Sequence, residues 1–313
     1  MEFRRAASLD QALAWLSERG ESARVIAGGT DVMMQVARGE IRPATLVHIE
    51  GVRPLAGAAA TDTGPGSAPG AGRVVVQSEP GAGGMSRFGA LVTHRALASD
   101  PSVKRRHPAL SEAAATVGGW QTQTVGTLGG NICNASPAAD TAAPLLVADA
   151  IVELRNMAGC RRVPLADFFL GRRAIDRRPD ELVTAIEAEP LGANAAEVYL
   201  KAGRRGAMVV AVVGLAVRLR FDPRGERVTQ ARVAVCSVAP TPVRASATER
   251  ILADGGALPD AVSEAGQALL AEVAPIDDAR GTAAYRRMVL PGLLARAVAC
   301  CLAAARVKEA NST

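Results

Sequence analysis

Two stretches decide how this chain is read: Thr127-Leu-Gly-Gly-Asn-Ile-Cys-Asn-Ala-Ser-Pro-Ala-Ala-Asp140 and, a hundred residues earlier, Ala27-Gly-Gly-Thr-Asp31. Each sets paired glycines among small hydroxyl or amide residues, straight after an apolar run that reads as a strand. Glycine permits positive φ and leaves no side chain between its N–H and a ligand. Successive exposed N–H groups make a concave donor site for phosphate oxygens. Two such segments far apart in sequence suggest an extended anionic cofactor held from two sides. Thr30, Thr127 and Asn131 would add side-chain donors, so a diphosphate could be held without a lysine in either segment. Neither segment is a common phosphate fingerprint: Ala27 to Asp31 lacks the G-x-G-x-x-G turn, and no G-x-x-x-x-G-K-[ST] loop occurs.

Around these segments the chain reads as α+β. Ser8-Leu-Asp-Gln11 has capping-box spacing, Leu9, Leu13 and Leu16 share one helix face, and Gly20 stops the helix. Arg24-Val-Ile26 reads as a buried strand delivering the first glycine pair. Val32 to Arg38 follows as a helix and Thr45 to Ile49 as a second strand, a small β-α-β unit. Gly57 to Gly72 has no apolar period and reads as a connection, and Arg73 to Gln77 resumes strand character. Phe88 to Thr93 reads as a strand, and His94 to Ser99 and Pro108 to Val117 as helices. The second glycine segment opens a mostly irregular stretch, before a buried helix over Ala138 to Ala148 and a strand over Ala150 to Leu154.

Beyond about residue 180 the pattern changes. Glu181 to Glu187, Val198 to Lys201, Met208 to Arg220 and Gln230 to Ser237 read as strands, with a turn at Asp222-Pro-Arg-Gly225. Alanine-rich helices close the chain, the longest over Tyr285 to Ala305. The predicted architecture is a two-part cofactor-binding domain, a small β-α-β unit (1–55) and a larger α+β part (56–178). A C-terminal antiparallel sheet with helices on one side (179–313) follows.

The ordered motifs resemble those of the FAD-binding medium subunit of molybdenum hydroxylases, the group of xanthine, carbon monoxide, aldehyde, nicotinate and quinoline dehydrogenases. They run from Ala27-Gly-Gly-Thr-Asp31 through Pro108-Ala-Leu110, Thr127-Leu-Gly-Gly-Asn131 and Ser136-Pro-Ala-Ala-Asp140. Arg178-Pro-Asp-Glu-Leu182 and Lys201-Ala-Gly-Arg-Arg205 come last. The resemblance covers almost the whole chain. It implies an oxidoreductase subunit that carries FAD and takes electrons from [2Fe–2S] clusters on a small subunit. A large subunit would hold the molybdenum cofactor, and the electrons would pass on to NAD, a quinone or oxygen. A dimer of heterotrimers in the cytoplasm is implied with it.

The same resemblance implies the cofactor contacts. The first FAD loop would be Val25, Ile26, Ala27, Gly28, Gly29, Thr30, Asp31 and Val32; the second would be Thr127, Leu128, Gly129, Gly130 and Asn131. Val117 would lie against the flavin system, Asp140 on ribityl or ribose hydroxyls, and Val183 and Lys201 near the ring. Read by residue type, Asp140 is also a candidate helix N-cap, and Lys201, at a strand end, a solvent-facing cation. The family's usual Gln-Ile-Arg-Asn is replaced by Gln121-Thr-Gln-Thr124. Trp120 reads as a core residue or a shield for one flavin face.

Composition bounds the rest. Net charge is only +5 and aromatics are 3%, so no stacking platform for nucleic acid is expected. The first twenty residues have no signal-peptide core. Met208 to Val217, read as the most apolar stretch, is too short to span a bilayer, so no membrane is expected. The five cysteines show no C-x-x-C spacing, which argues for free thiols and against a cluster on this chain. His48, His94 and His107 lack metal-ligand spacing, His107 reads as structural, and no catalytic triad or metal site is found. Two other readings stand beside the first: a stand-alone FAD oxidoreductase, and a non-catalytic nucleotide-binding assembly protein.

Overall fold

The computed structural model describes residues 1–56, 77–78, 84–206, 208–224, 227–254 and 258–310. The connection read over Gly57 to Gly72 lies outside these residues, as do most of Arg73 to Gln77 and the Gly225 of the turn.

The N-terminal part is a three-stranded parallel sheet, with Thr45–His48 between Glu2–Arg5 and Ala23–Ile26. Glu2–Arg5 was not expected, because its charged, alternating residues carry no buried-strand signal. The capping box forms: Gln11 N–H donates to Ser8 Oγ at 3.2 Å, and Ala7 N–H donates to Gln11 Oε1 at 2.7 Å. The helix Leu9–Arg19 ends at Gly20, φ 51°, and buries Leu13 and Leu16 with Val47 and Ile49 in a first core.

The middle part is a five-stranded antiparallel sheet: Gln77–Ser78, Ser86–Gly89, Leu182–Ala188, Ile151–Asn156 and Gly159–Pro164, in that order. Leu182–Ala188, grouped by sequence with the C-terminal strands, is therefore its central strand. Buried at nearly every position, it has the continuous apolar character of a two-sided strand, which says nothing about which sheet it joins. A second core packs Phe88, Leu97, Leu110, Leu128, Ile132 and Phe168 around it.

Two expectations around the second glycine segment are corrected. The residues before it, Trp120–Val125, form a helix, not a strand-like run, and Leu128–Cys133 is a helix, not irregular chain. Thr127 supplies the reason: its side chain accepts from Gly130 N–H at 3.1 Å and caps the turn, against the glycines' weak helix propensity. The buried helix read over Ala138 to Ala148 is shorter, Ala142–Val147.

The C-terminal sheet is antiparallel, Ala195–Ala202, Val213–Phe221, Val228–Cys236 and Val243–Arg244. Its helices, Ser246–Ala253, Leu258–Ala271 and Ala283–Ala310, lie on one face. Leu215, Val217, Val233 and Val235 point to that third core, whereas Tyr199, Ala216 and Ala234 point into the middle core, as a two-residue period requires. The opposite face is thus covered by the middle part's helices Pro108–Ala115 and Ala142–Val147.

One helix among the described residues, over Ala283–Arg306, is long and apolar enough to cross a membrane by length and composition, so Met208 to Val217 is not the longest apolar stretch. It is the closing helix expected over Tyr285 to Ala305. Part of its apolar content is taken up by the third core, which Leu290, Leu294, Ala297 and Cys301 fill, and 28% of the apolar stretch is buried. Near its start the buried Arg286 donates Nη2 to Asp278 Oδ1 at 2.6 Å.

Candidate functional site

The two glycine segments meet. The edge strand Ala23–Ile26 delivers Ala27 and Gly28 onto the backbone of Val125–Gly126, so closely that a Cβ on Gly28 would sit 1.8 Å from the Val125 carbonyl oxygen. Gly29 takes φ +72°, the left-handed region, and lets the chain turn into the helix Val32–Ala37. Side chains tie the segments together: Gln35 Nε2 donates to Asn134 Oδ1, and Asn134 Nδ2 donates to Asp31 Oδ1, both at 2.9 Å. Thr141 Oγ1 donates to Asn131 Oδ1 at 2.7 Å.

A cavity of about 380 Å³ opens between the segments. Val25, Ala27 to Val32, Thr127, Gly129, Gly130 and Asn131 line it, with Val117 and Val183 further along the wall. The two segments contribute differently. In the first, the N–H groups of Gly28, Gly29, Thr30, Asp31 and Val32 have no acceptor among the described residues. In the second, Leu128 N–H donates to Val92 O at 2.8 Å and Gly129 N–H to Ala90 O at 2.9 Å. Gly130 and Asn131 N–H groups are held by Thr127. The second segment is therefore a fixed floor, and the first is the open donor arc. Gly129 serves packing, because a Cβ there would lie 2.7 Å from that of Ala90.

Four of the residues implied by resemblance do not line the cavity: Ile26, Leu128, Asp140 and Lys201. Ile26 and Leu128 point into the packed interior. Asp140 and Lys201 form a buried pair behind the wall, Nζ to Oδ2 at 2.7 Å, with side chains 8% and 7% exposed. Tyr199 donates its hydroxyl to Asp140 Oδ1 at 2.6 Å, and Lys201 donates to the Thr116 carbonyl at 2.9 Å, next to Val117. Lys201 is thus not the solvent-facing cation its strand-end position suggested. Burial raises the Asp140 carboxyl, with Lys201 and Tyr199 opposing. Thr141, not Asp140, stands at the N-cap of Ala142–Val147. Trp120 is 58% exposed, outside the core and the cavity wall, with the Arg95 guanidinium 4.1 Å from its ring centroid.

Charged and titratable side chains stand on the same wall, and Arg24, His94, Arg173 and Arg177 among them lie outside the quoted motifs. Arg24, Arg173 and Arg177 give it positive charge; Asp31 and Glu181 are its carboxylates. Burial raises the Asp31 carboxyl, against the pull of Arg173. Burial holds His94 down at about 4, so its imidazole is neutral, and its Nδ1 has no partner among the described residues. Cys133 is likewise a neutral thiol, pushed up by burial to about 11. For Arg24 and His94 the only hint in the sequence was position: Arg24 precedes the first segment and His94 begins the helix behind the second. No cluster of His, Cys, Asp or Glu fit to hold a metal occurs among the described residues.

An arc of five free N–H groups, a glycine floor and a basic wall have the donor set for a diphosphate, and the apolar Val117 and Val183 suit a flat ring system. Comparison with known proteins agrees. Residues 1–65 and 79–188 match the family described as "FAD binding domain in molybdopterin dehydrogenase", and residues 197–301 match the "CO dehydrogenase flavoprotein C-terminal domain". The xanthine dehydrogenase FAD-binding subunit of Escherichia coli O157:H7 is 28% identical, over 97% of this chain and 96% of that one. The glyceraldehyde dehydrogenase medium chain of Sulfolobus acidocaldarius is 30% identical, over 94% and 95%. A solved carbon monoxide dehydrogenase of Hydrogenophaga pseudoflava superposes with a TM-score of 0.86 at 28% identity, covering 97% of each chain.

Proposed function

This chain belongs to the family of FAD-binding subunits of molybdopterin dehydrogenases, and from that premise we propose that it holds FAD between the iron–sulfur clusters of a small partner subunit and an external acceptor. The molybdenum cofactor would sit on a large partner. The observation that carries the reading is the run of five unpartnered N–H groups from Gly28 to Val32 along the cavity. Bound FAD would supply both one- and two-electron chemistry, which suits a junction between clusters and a two-electron acceptor.

The chain's own residues bind and shape. The N–H groups of Gly28 to Val32, with the Thr30 hydroxyl and the Asn131 amide, would take the diphosphate oxygens. Val117 and Val183 would exclude water from the ring system. Asp140 and Lys201 would act from behind the wall, Lys201 by fixing the Thr116 carbonyl next to Val117. We read the chain as three units, the second running to the end of Leu182–Ala188, working in the cytoplasm within a dimer of heterotrimers. NAD, a quinone or oxygen would be the acceptor.

The test is a visible absorption spectrum of the purified full chain, with the released cofactor identified by mass. Near-stoichiometric FAD is expected, and Gly28→Ala, whose Cβ would collide with the Val125 carbonyl, should lose it. A chain that takes up no FAD, even when reconstituted alongside its partner subunits, would refute the proposal.

A further inference from the structure

Arg24 is the one guanidinium on the cavity wall to which no hydrogen bond or ion pair is attached among the described residues. Its neighbours on that wall are engaged. Arg173 pairs with Glu40, and Arg177 donates Nη1 to the Glu181 carbonyl at 2.7 Å. Arg24 is half-buried on the edge strand Ala23–Ile26 and feels both other arginines as like charges. Burial is the first cause holding its guanidinium below the usual range, Arg177 the second. Cys133, the one group acting the other way, is neutral. The wall's carboxylates are committed elsewhere, Asp31 to Asn134 and Glu181 to Arg161.

A half-buried cation among like charges and without a counter-ion destabilises the ligand-free fold. It is tolerable where a ligand supplies the missing anion. The free N–H arc from Gly28 to Val32 lies in the same cavity, and backbone donors with a guanidinium fork together match tetrahedral phosphate oxygens. We infer that the Arg24 side of the cavity is a phosphate subsite and that Arg24 is its charged ligand. This rests on the reading of the cavity as an FAD site and assigns the anion to the cofactor's diphosphate. Arg24 then trades stability of the empty chain for affinity, a balance found where binding residues are locally strained by their own chemistry.

The test uses the full chain freed of flavin, as wild type, Arg24→Gln and Arg24→Lys. Dissociation constants for FAD, riboflavin and inorganic diphosphate are measured beside the melting temperature of the empty chain. Arg24→Gln is expected to weaken FAD by about ten- to a hundredfold, as loss of a charge-assisted contact does. Riboflavin, which lacks phosphate, should change by less than about twofold, and Arg24→Lys should restore part of the FAD affinity. The empty Arg24→Gln chain should melt at the same temperature or higher, whereas a purely structural arginine would lower it. Unchanged FAD affinity, an equal loss for riboflavin, or a lower melting temperature of the empty variant would each overturn the assignment. A loss confined to inorganic diphosphate would move the subsite to a separate phosphate-bearing ligand and overturn it as well. Wild type that binds no flavin, alone or with its partner subunits, would instead sink the FAD reading and take this inference with it.

Discussion

Lys201 and Asp140 show how little a strand end or a helix entry says about what a side chain will meet. Both stand where the resemblance put cofactor contacts, yet they face each other at 2.7 Å in the interior, joined by the Tyr199 hydroxyl. Burial is also the first cause that raises the tyrosine, so the hydroxyl stays neutral and donates. An ion pair this enclosed is strongly destabilising to break, because the surviving charge is left buried. Lys201→Met is therefore expected to cost about 3–5 kcal/mol, read from urea denaturation. The double variant with Asp140→Asn should lose clearly less than the sum of the two single changes, a coupling that residues in separate environments would not show. Sequence could not distinguish wall from backing here: strand alternation gives the face of Lys201, and only the packed Pro108–Ala115 helix closes over that face. Trp120 failed in the opposite sense. Its size argued for the core, but Arg95 covers one face of its ring at the surface, a pairing that no local spacing announces.

At the scale of elements, local chemistry was legible wherever it was self-contained. The capping box, Gly20 and the Leu9, Leu13, Leu16 face foretold the helix Leu9–Arg19, because every contact that sets its ends lies within it. The helices Trp120–Val125 and Leu128–Cys133 were not foretold, since their β-branched residues and paired glycines argue against helix and their short turns are held by outside partners. Val92 and Ala90 supply the acceptors for Leu128 and Gly129 N–H. The cap at Thr127 is thus the local contact on which the second helix depends most. Thr127→Ala should lower stability by about 1 kcal/mol. It should also reduce flavin content, measured as the ratio of visible to protein absorbance. Thr127→Ser, which keeps the hydroxyl, should recover both; a Thr127→Ala chain with unchanged melting and flavin content would deny the cap its role.

At the scale of the whole molecule, three cores are stacked along the chain, and the sheet Ala195–Ala202 to Val243–Arg244 feeds two of them. Fold class was legible because strand and helix periods were clean; the sheet membership of Leu182–Ala188 was not, because pairing over a hundred residues leaves no local trace. The middle core also sets an acid limit. His94 and His107 are buried and neutral, held down from 6.5 to about 4 and about 3. Above pH 6.5 neither binds a proton, folded or unfolded. Below it the unfolded chain takes up protons that the folded chain refuses until about pH 4 and about 3, so stability falls on acidification. Each histidine contributes about 1.4 kcal/mol per pH unit across that window. Urea midpoints between pH 7 and 4.5 should fall accordingly, and His107→Gln should flatten the slope by about half; an equal slope in the variant would exclude His107 as a source. The central place of Leu182–Ala188 bears, finally, on the order of synthesis. Its neighbours Ser86–Gly89 and Ile151–Asn156 leave the ribosome first and have no partner in the middle of their sheet until residue 188 has followed. Val183, on that strand, is also part of the cavity wall. A nascent chain can therefore complete its N-terminal sheet early, but it has no finished pocket to offer a cofactor until well over half of it has been made.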